Sequence, residues 1–150
     1  MNKTERIVQL IKKEIKDKVV LEAACGTANF SLAASEYADK VVCIDIDDSR
    51  LNHDIEKREK INFQKMDAVN MAFEDETFDT IVLYNALYHI ESQYEQIIAE
   101  CRRVLKRKGQ IIIIGTWKLD VSLMLEKFGD KAEVLKEICI VRIEKEDRER

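Results

Sequence analysis

Polar residues close four of the apolar runs in this chain. Glu22 ends Val19-Val-Leu-Glu, Asp45 ends Lys40-Val-Val-Cys-Ile-Asp, Asp67 follows Ile61-Asn-Phe-Gln-Lys-Met, and Asn85 follows Thr80-Ile-Val-Leu-Tyr. Three carboxylates and an amide placed this regularly can accept hydrogen bonds from the hydroxyls and amines of one polar small molecule. A carboxylate such as Glu22, at the end of a buried strand, also requires a partner of its own. After it, Ala23-Ala-Cys-Gly-Thr-Ala-Asn turns the apolar run into an amphipathic segment. The small side chains of Ala23, Ala24, Gly26 and Ala28 let a ligand approach the backbone. The unpaired N–H groups of the helix that follows favour a polar group at the same place. A turn that only packs helix on strand is the plainer alternative, and Glu22 argues against it. Asp45 follows Gly26 at close to the roughly 20-residue interval that sets a carboxylate on a ribose diol. The expected occupant therefore contains adenosine, and this interval alone does not separate a nicotinamide dinucleotide from other adenosine cofactors.

The elements that must position these residues alternate. Asn2 with Glu5 signals a capped first helix running to about Asp17, with Ile7, Leu10, Ile11 and Ile15 on one face. Val19–Ala24 is a near-continuous apolar run, as in a parallel strand covered on both sides. A helix carrying Phe30, Leu32, Ala33, Ala34 and Tyr37 follows, then the strand from Lys40. Ser49–Lys60 has the charge density of an exposed helix with Leu51 and Ile55 inward. Strands from Ile61 and Thr80 come next, and Glu91–Lys108 reads as a long amphipathic helix with Tyr94, Ile97, Ile98, Cys101, Val104 and Leu105 inward. Its last turn, Lys106-Arg107-Lys108 before Gly109, reads as cations at a helix C-terminus with a glycine just beyond. Gln110-Ile-Ile-Ile-Ile-Gly is the fifth strand. Val121–Phe128 reads as a helix, Val134–Ile143 as one strand or two, and Glu144–Arg150 as a solvated or frayed end.

This order predicts an α/β, doubly wound and mostly parallel sheet with helices on both faces, formed by a single domain over residues 1–150. Its ligand belongs at the C-terminal ends of the strands. The formal charge of −4 gives no global attraction to nucleic acid or anionic lipid, so either would need a local patch. No apolar run reaches membrane-spanning length and the N-terminus lacks a signal-peptide core, so the expectation is a soluble cytoplasmic protein with no membrane partner. Cys25, Cys43, Cys101 and Cys139 are dispersed and form no CxxC pair, so no metal site and no disulfide is expected.

Six segments in order carry a family resemblance. They are Val20-Leu-Glu-Ala-Ala-Cys-Gly-Thr-Ala-Asn, Val42-Cys-Ile-Asp-Ile-Asp-Asp-Ser-Arg-Leu, Phe63-Gln-Lys-Met-Asp-Ala, Phe73-Glu-Asp-Glu-Thr-Phe-Asp-Thr-Ile-Val, Ala86-Leu-Tyr-His-Ile and Arg103-Val-Leu-Lys-Arg-Lys-Gly-Gln. From about Val19 to Thr116 the chain resembles the class I, Rossmann-like S-adenosylmethionine-dependent methyltransferases, particularly the methyltransferase type 11 group. The resemblance implies strand order 3-2-1-4-5 followed by a short C-terminal strand or hairpin. It implies S-adenosylmethionine as cofactor and S-adenosylhomocysteine as product. Glu22, Ala23, Ala24, Cys25, Gly26 and Thr27 would form the loop beside the methionine part. Asp45 would hold the ribose hydroxyls, Ile46 would pack on adenine, and Asp67 would take the adenine amine with the Ala68 backbone beside it. Asn85 and Ala86 would border the reactive methyl group. The chain departs from the group at Ala24 and Ala28, where glycine is usual. Alanine is tolerated there only if neither position needs positive φ and no methyl touches the ligand.

Methyl transfer from a sulfonium is an in-line displacement in which positioning supplies much of the acceleration. Tyr88 and His89 follow the fourth strand, in position to orient or deprotonate an acceptor, with a structural or solvent role for His89 as the equal alternative. His53 lies in a charged segment and is set aside. The acceptor is not legible. Little of the chain lies outside sheet and helices, so the site is expected to be open. That favours a large acceptor, or a second subunit that closes the site, as in a homodimer. The alternatives are a non-catalytic S-adenosylmethionine-binding or partner-binding module, and a nicotinamide-dependent oxidoreductase. The latter gives no role to Asp67 or to the Phe78-Asp-Thr-Ile segment.

Overall fold

Asn2 accepts a hydrogen bond from the Glu5 N–H at 2.8 Å while the Glu5 carboxylate takes the Asn2 N–H, the reciprocal cap that the sequence signals. In the computed structural model, which describes residues 1–145, this cap starts α1 (Lys3–Leu10). The helix expected to reach Asp17 breaks at Ile11, whose φ of −114° and ψ of 23° leave helical geometry, and one further turn, α2 (Lys12–Ile15), follows. Ile7, Ile11 and Ile15 are fully buried, but Leu10 is 46% exposed and lies off the inward face. The Thr80 hydroxyl donates to the Glu14 carbonyl and anchors α2 on the sheet.

The remaining elements are β1 (Val19–Ala23), α3 (Asn29–Ala34), β2 (Lys40–Asp45), β3 (Ile61–Lys65), β4 (Phe78–Tyr84), α4 (Leu87–Ile90), α5 (Tyr94–Val104), β5 (Leu105–Gly115), α6 (Lys118–Phe128), β6 (Glu133–Leu135) and β7 (Ile138–Glu144). One sheet runs in the order β3-β2-β1-β4-β5-β7-β6. The first five strands are parallel, as expected, and the tail left open between one strand and two forms a hairpin, with β7 antiparallel to β5.

Alternation along the buried strands explains how one apolar run serves two layers. Leu21, Ile81, Leu83, Ile111 and Ile113 point into a core under α4, α5 and α6. Val20, Val82, Ile112 and Ile114 point the other way, onto Ile7, Ile11, Ile15 and Phe30 of α1, α2 and α3. Each such side chain, fully buried, is worth about 1.5–3 kcal/mol relative to exposure.

Two expected helices are shorter than their patterns. Between Ser49 and Lys60 only the turn His53–Lys57 forms. There the Asp47 carboxylate takes the Ser49 N–H and hydroxyl, the Asn52 side chain takes the Asp54 N–H, and the Asn52 N–H goes to the Thr27 carbonyl. Side chains of this kind compete with helix hydrogen bonding. Ile55 is buried as expected. At the other site α5 ends at Val104, so Lys106-Arg107-Lys108 lies in β5 and caps no helix. Buried Leu105 pairs with Phe78, Lys106 reaches Asp79 at 3.3 Å, and pairing resumes at Gln110 with Thr80 after a bulge. Of the expected frayed end, Glu144 pairs in β7 and the Lys145 ammonium binds the Leu105 carbonyl; residues 146–150 lie outside the described residues.

The bulge depends on a missing side chain. A Cβ at Gly109 would stand 2.6 Å from the Asp79 carbonyl oxygen and 2.5 Å from Leu105 Cδ1. Gly109→Ala is therefore expected to lose about 1–3 kcal/mol of stability in urea denaturation, the usual scale of overpacking. An unchanged midpoint would show that the bulge yields freely.

Candidate active site

The loop after β1 is built over a buried acid. Glu22 is 1% exposed, and one of its oxygens accepts both the Ser31 N–H (3.1 Å) and the Ser31 hydroxyl (2.7 Å) from α3. The partner required of a buried carboxylate is thus Ser31. Burial raises its pKa well above the ordinary glutamate value, and the Ser31 bonds oppose that rise only in part. Glu22 and Ala23 stand beneath the loop and do not line the cavity above it, whereas Ala24, Cys25, Gly26 and Thr27 do.

Ala24, Gly26 and Ala28 have φ of 53°, 56° and 63°. Both alanine positions therefore need the left-handed backbone, the condition under which alanine is costly, at roughly 1–2 kcal/mol per residue. Surrounding hydrogen bonds hold the strained turn: Cys25 N–H to Ile44 O at 2.9 Å, Ala28 N–H to Cys25 O at 2.8 Å, and Gly26 N–H to Asp45 Oδ2 at 2.8 Å.

Asp45 ends β2, and its second oxygen takes the Asp47 N–H at 2.9 Å. Each oxygen keeps a lone pair for a ligand hydroxyl. Ile46, beside it, is 65% exposed and lines the cavity, an apolar surface for a flat ring. Asp67 spends one oxygen on the Val69 N–H at 3.1 Å, and Ala68 lies next to it on the lining. On the β4 side Asn85 (φ 51°) and Ala86 border the same cavity. The Asn85 amide is committed, donating to the Thr116 hydroxyl at 2.9 Å and accepting the Thr116 N–H at 2.7 Å, so it ties the ends of β4 and β5 together. His89 lines the cavity. Tyr88 does not; it is half exposed, its N–H bonded to Asp120 and its ring 5.9 Å from that of His89. His53 pairs with Glu56 at 3.2 Å and lines no part of the cavity.

The cavity measures about 540 Å³ and crosses the C-terminal ends of β1–β5. Lys3 and Thr4 of α1, Tyr84, Gln93 and Thr116-Trp117 also line it; none is among the expected site residues, although the first helix from Thr4 and the region after Trp117 are among the few segments of the chain able to cover the methyl group. Thr116 and Trp117 had a signal, since they follow the fifth strand where such sheets bind ligands. Lys3 and Thr4 enter through the docking of α1, which no local pattern encodes. Among the described residues no group of histidines, cysteines and acids could hold a metal, and all four cysteines are free and buried.

Fold and site define an adenosine-cofactor protein of the doubly wound class. Two spare carboxylates at the ends of adjacent strands, an exposed isoleucine between them and a left-handed glycine turn fit the ribose, adenine and methionine parts of S-adenosylmethionine. A family model for the methyltransferase domain matches residues 21–113. The chain belongs to that family, the class I methyltransferases that use S-adenosylmethionine. It is similar to an uncharacterised protein of Methanocaldococcus jannaschii, 32% identical over 130 residues, covering 84% of this chain and 53% of that one. It is also similar to the demethylmenaquinone methyltransferase of Thermotoga maritima, 35% identical over 112 residues, covering 73% of this chain and 48% of the enzyme. Among solved structures, an S-adenosylmethionine-dependent methyltransferase from Aquifex aeolicus shares the fold, with a TM-score of 0.70, 20% identity, and 92% and 86% of the two chains covered. The chain spans about half the length of the curated relatives it matches.

Glu22 makes the site's support pH-dependent. A carboxyl whose pKa is raised on folding contributes stability that is full below about pH 4.3, its unfolded value, and is lost as pH rises through the folded value. Relative to wild type, Glu22→Gln should therefore gain stability as pH rises from about 4 toward neutrality, measured by urea denaturation across that range. A difference independent of pH would contradict the raised pKa.

Proposed function

We propose that this protein transfers a methyl group from S-adenosylmethionine to an acceptor. The observation that carries the reading is Asp45, which lines the cavity, holds the Gly26 N–H at 2.8 Å and keeps a lone pair on each carboxylate oxygen. Gly26 and its neighbours would hold the methionine part, Asp45 the ribose, Ile46 and Ala68 the adenine ring, and Asp67 its amine. S-adenosylmethionine, when bound, supplies a methyl group on cationic sulfur that is open to in-line displacement. The residues around Asn85 and Ala86 would fix the line of approach, and His89 would orient the acceptor, with Tyr88 beside it. On the acceptor side only short stretches line the cavity, among them Lys3 and Thr4 of α1, His89 and Ile90 of α4, and Trp117 just before α6. The acceptor is therefore either large enough to cover the site or enclosed by a second copy of the chain.

No helix among the described residues is long and apolar enough to cross a membrane, and the cysteines are free, which supports a cytoplasmic setting. A second reading, a cofactor-binding module without turnover, has the two left-handed alanines in its favour, because strain in the loop works against affinity.

Calorimetry tests the first step. S-adenosylmethionine and S-adenosylhomocysteine should bind saturably and a nicotinamide dinucleotide much more weakly; tighter dinucleotide binding would remove the reading. Asp45→Ala should cost roughly 1.5–3 kcal/mol of cofactor affinity, about 10- to 150-fold. Release of S-adenosylhomocysteine on turnover separates enzyme from binding module.

A further inference from the structure

The charges lining the cavity are divided between its two ends. The acids that line it, Asp45, Asp47 and Asp67, all stand on the β2 and β3 side, beneath the adenosine position. Arg50 stands at the Gly26 loop, beside the methionine position: its guanidinium comes within 3.1 Å of the Cβ position of Gly26, and its charge acts on Asp47. The other end, between α1, β4 and β5, has no carboxylate on its lining among the described residues. Its one fixed charge is Lys3, which makes no ion pair among those residues. Glu5 caps α1 through the Asn2 N–H, Asp120, 1% exposed, holds the Tyr88 N–H, and Glu91 and Glu95, near Ile90 and Gln93 in sequence, do not line the cavity.

The polar side chains at this end, the Thr4, Tyr84 and Thr116 hydroxyls with His89 and Gln93, can all donate as well as accept. Thr116 accepts from the Asn85 amide, which leaves its own O–H free to point into the cavity. The Tyr84 and Thr4 hydroxyls lie 3.4 Å apart, and whichever accepts in that pair has a proton left to give. Beside them Trp117, 51% exposed, presents an indole face, with Ile90 and Ile97 deeper in the lining. Free donors, one unpaired ammonium and a flat aromatic wall suit an anionic group on an aromatic ring. They oppose a cationic amine, which would meet Lys3 and the cofactor's sulfonium with no protein carboxylate lining that end among the described residues.

We propose that the acceptor is an aromatic molecule carrying an acidic group, held at this end by Lys3 and the Thr4, Tyr84 and Thr116 hydroxyls with its ring against Trp117. The proposal rests on the methyltransferase reading. Trp117 is the only tryptophan in the chain, so its fluorescence reports on this end of the cavity. The protein is saturated with S-adenosylhomocysteine, with saturation followed by calorimetry, and titrated with 4-hydroxyphenylacetate or tyramine. These probes share ring, phenol and chain length but carry opposite charges. The acid should half-saturate the signal at a concentration about tenfold or more below that of tyramine. Lys3→Glu should abolish or invert the preference and Lys3→Arg should keep it. Equal half-saturation, a preference for tyramine, no saturable signal from the acid, or a preference that survives Lys3→Glu would overturn the proposal. Failure to bind S-adenosylhomocysteine would be seen first by calorimetry and would remove the methyltransferase reading itself.

Discussion

One carboxylate ties together the parts of this molecule that have to meet. Asp45 receives the Gly26 N–H from the loop after β1 and the Asp47 N–H from the loop after β2. Neither loop has a regular hydrogen-bonding pattern to hold its shape, and the side chain at the end of β2 supplies one for both. Because each bond uses one lone pair of one oxygen, the same group remains free toward the cavity. The carboxylate that holds both loops is therefore also the one that lines the cavity, and the register of β2 on β1, with Ala23 opposite Ile44, is what sets its height.

The loop it supports is stable only because its neighbours overrule local preference. Alanine at 24 and 28 disfavours the left-handed backbone that both positions adopt, and the cost is offset by burial beneath and by hydrogen bonds on either side. Glu22 takes part in the same compromise. Its carboxyl is buried at a price in desolvation, yet it receives two donors from Ser31 and so joins the start of α3 to β1 directly under the loop. The surrounding layers provide the rigidity that this requires. The isoleucine run of β5 faces the α5 side at Ile111 and Ile113 and the α1 side at Ile112 and Ile114, locking both helical layers to one sheet.

Much of this was legible in the residues. Apolar strand runs, the Asn2-Glu5 cap and the polar strand ends point to the parallel sheet and to Asp45 and Asp67, the turn of small residues points to Gly26, and the family resemblance adds Ala86; these four line one cavity. What was not legible depended on tertiary contacts. Lys106-Arg107-Lys108 has the composition of a helix end, and only the pairing of Leu105 with Phe78 makes it strand. The segment after Ser49 has helical charge spacing, but its Asp, Ser and Asn side chains bind the backbone locally. Glu22 marks a strand end as clearly as Asp45 does, yet it turns under α3 to Ser31 and does not line the cavity. Lys3 reaches the cavity because α1 docks at the end of β4, where Thr4 meets Tyr84, a contact with no signature along the chain.

The central claim is that Asp45 organises the loop and binds the cofactor with the same carboxylate. A crystal structure of the complex with S-adenosylhomocysteine tests it most directly. The account expects the ribose hydroxyls within hydrogen-bonding distance of the Asp45 oxygens, adenine against Ile46, and the Gly26 and Asp47 N–H bonds to Asp45 retained. A cofactor seated elsewhere, or an Asp45 side chain that abandons Gly26 in order to reach the ribose, would contradict it.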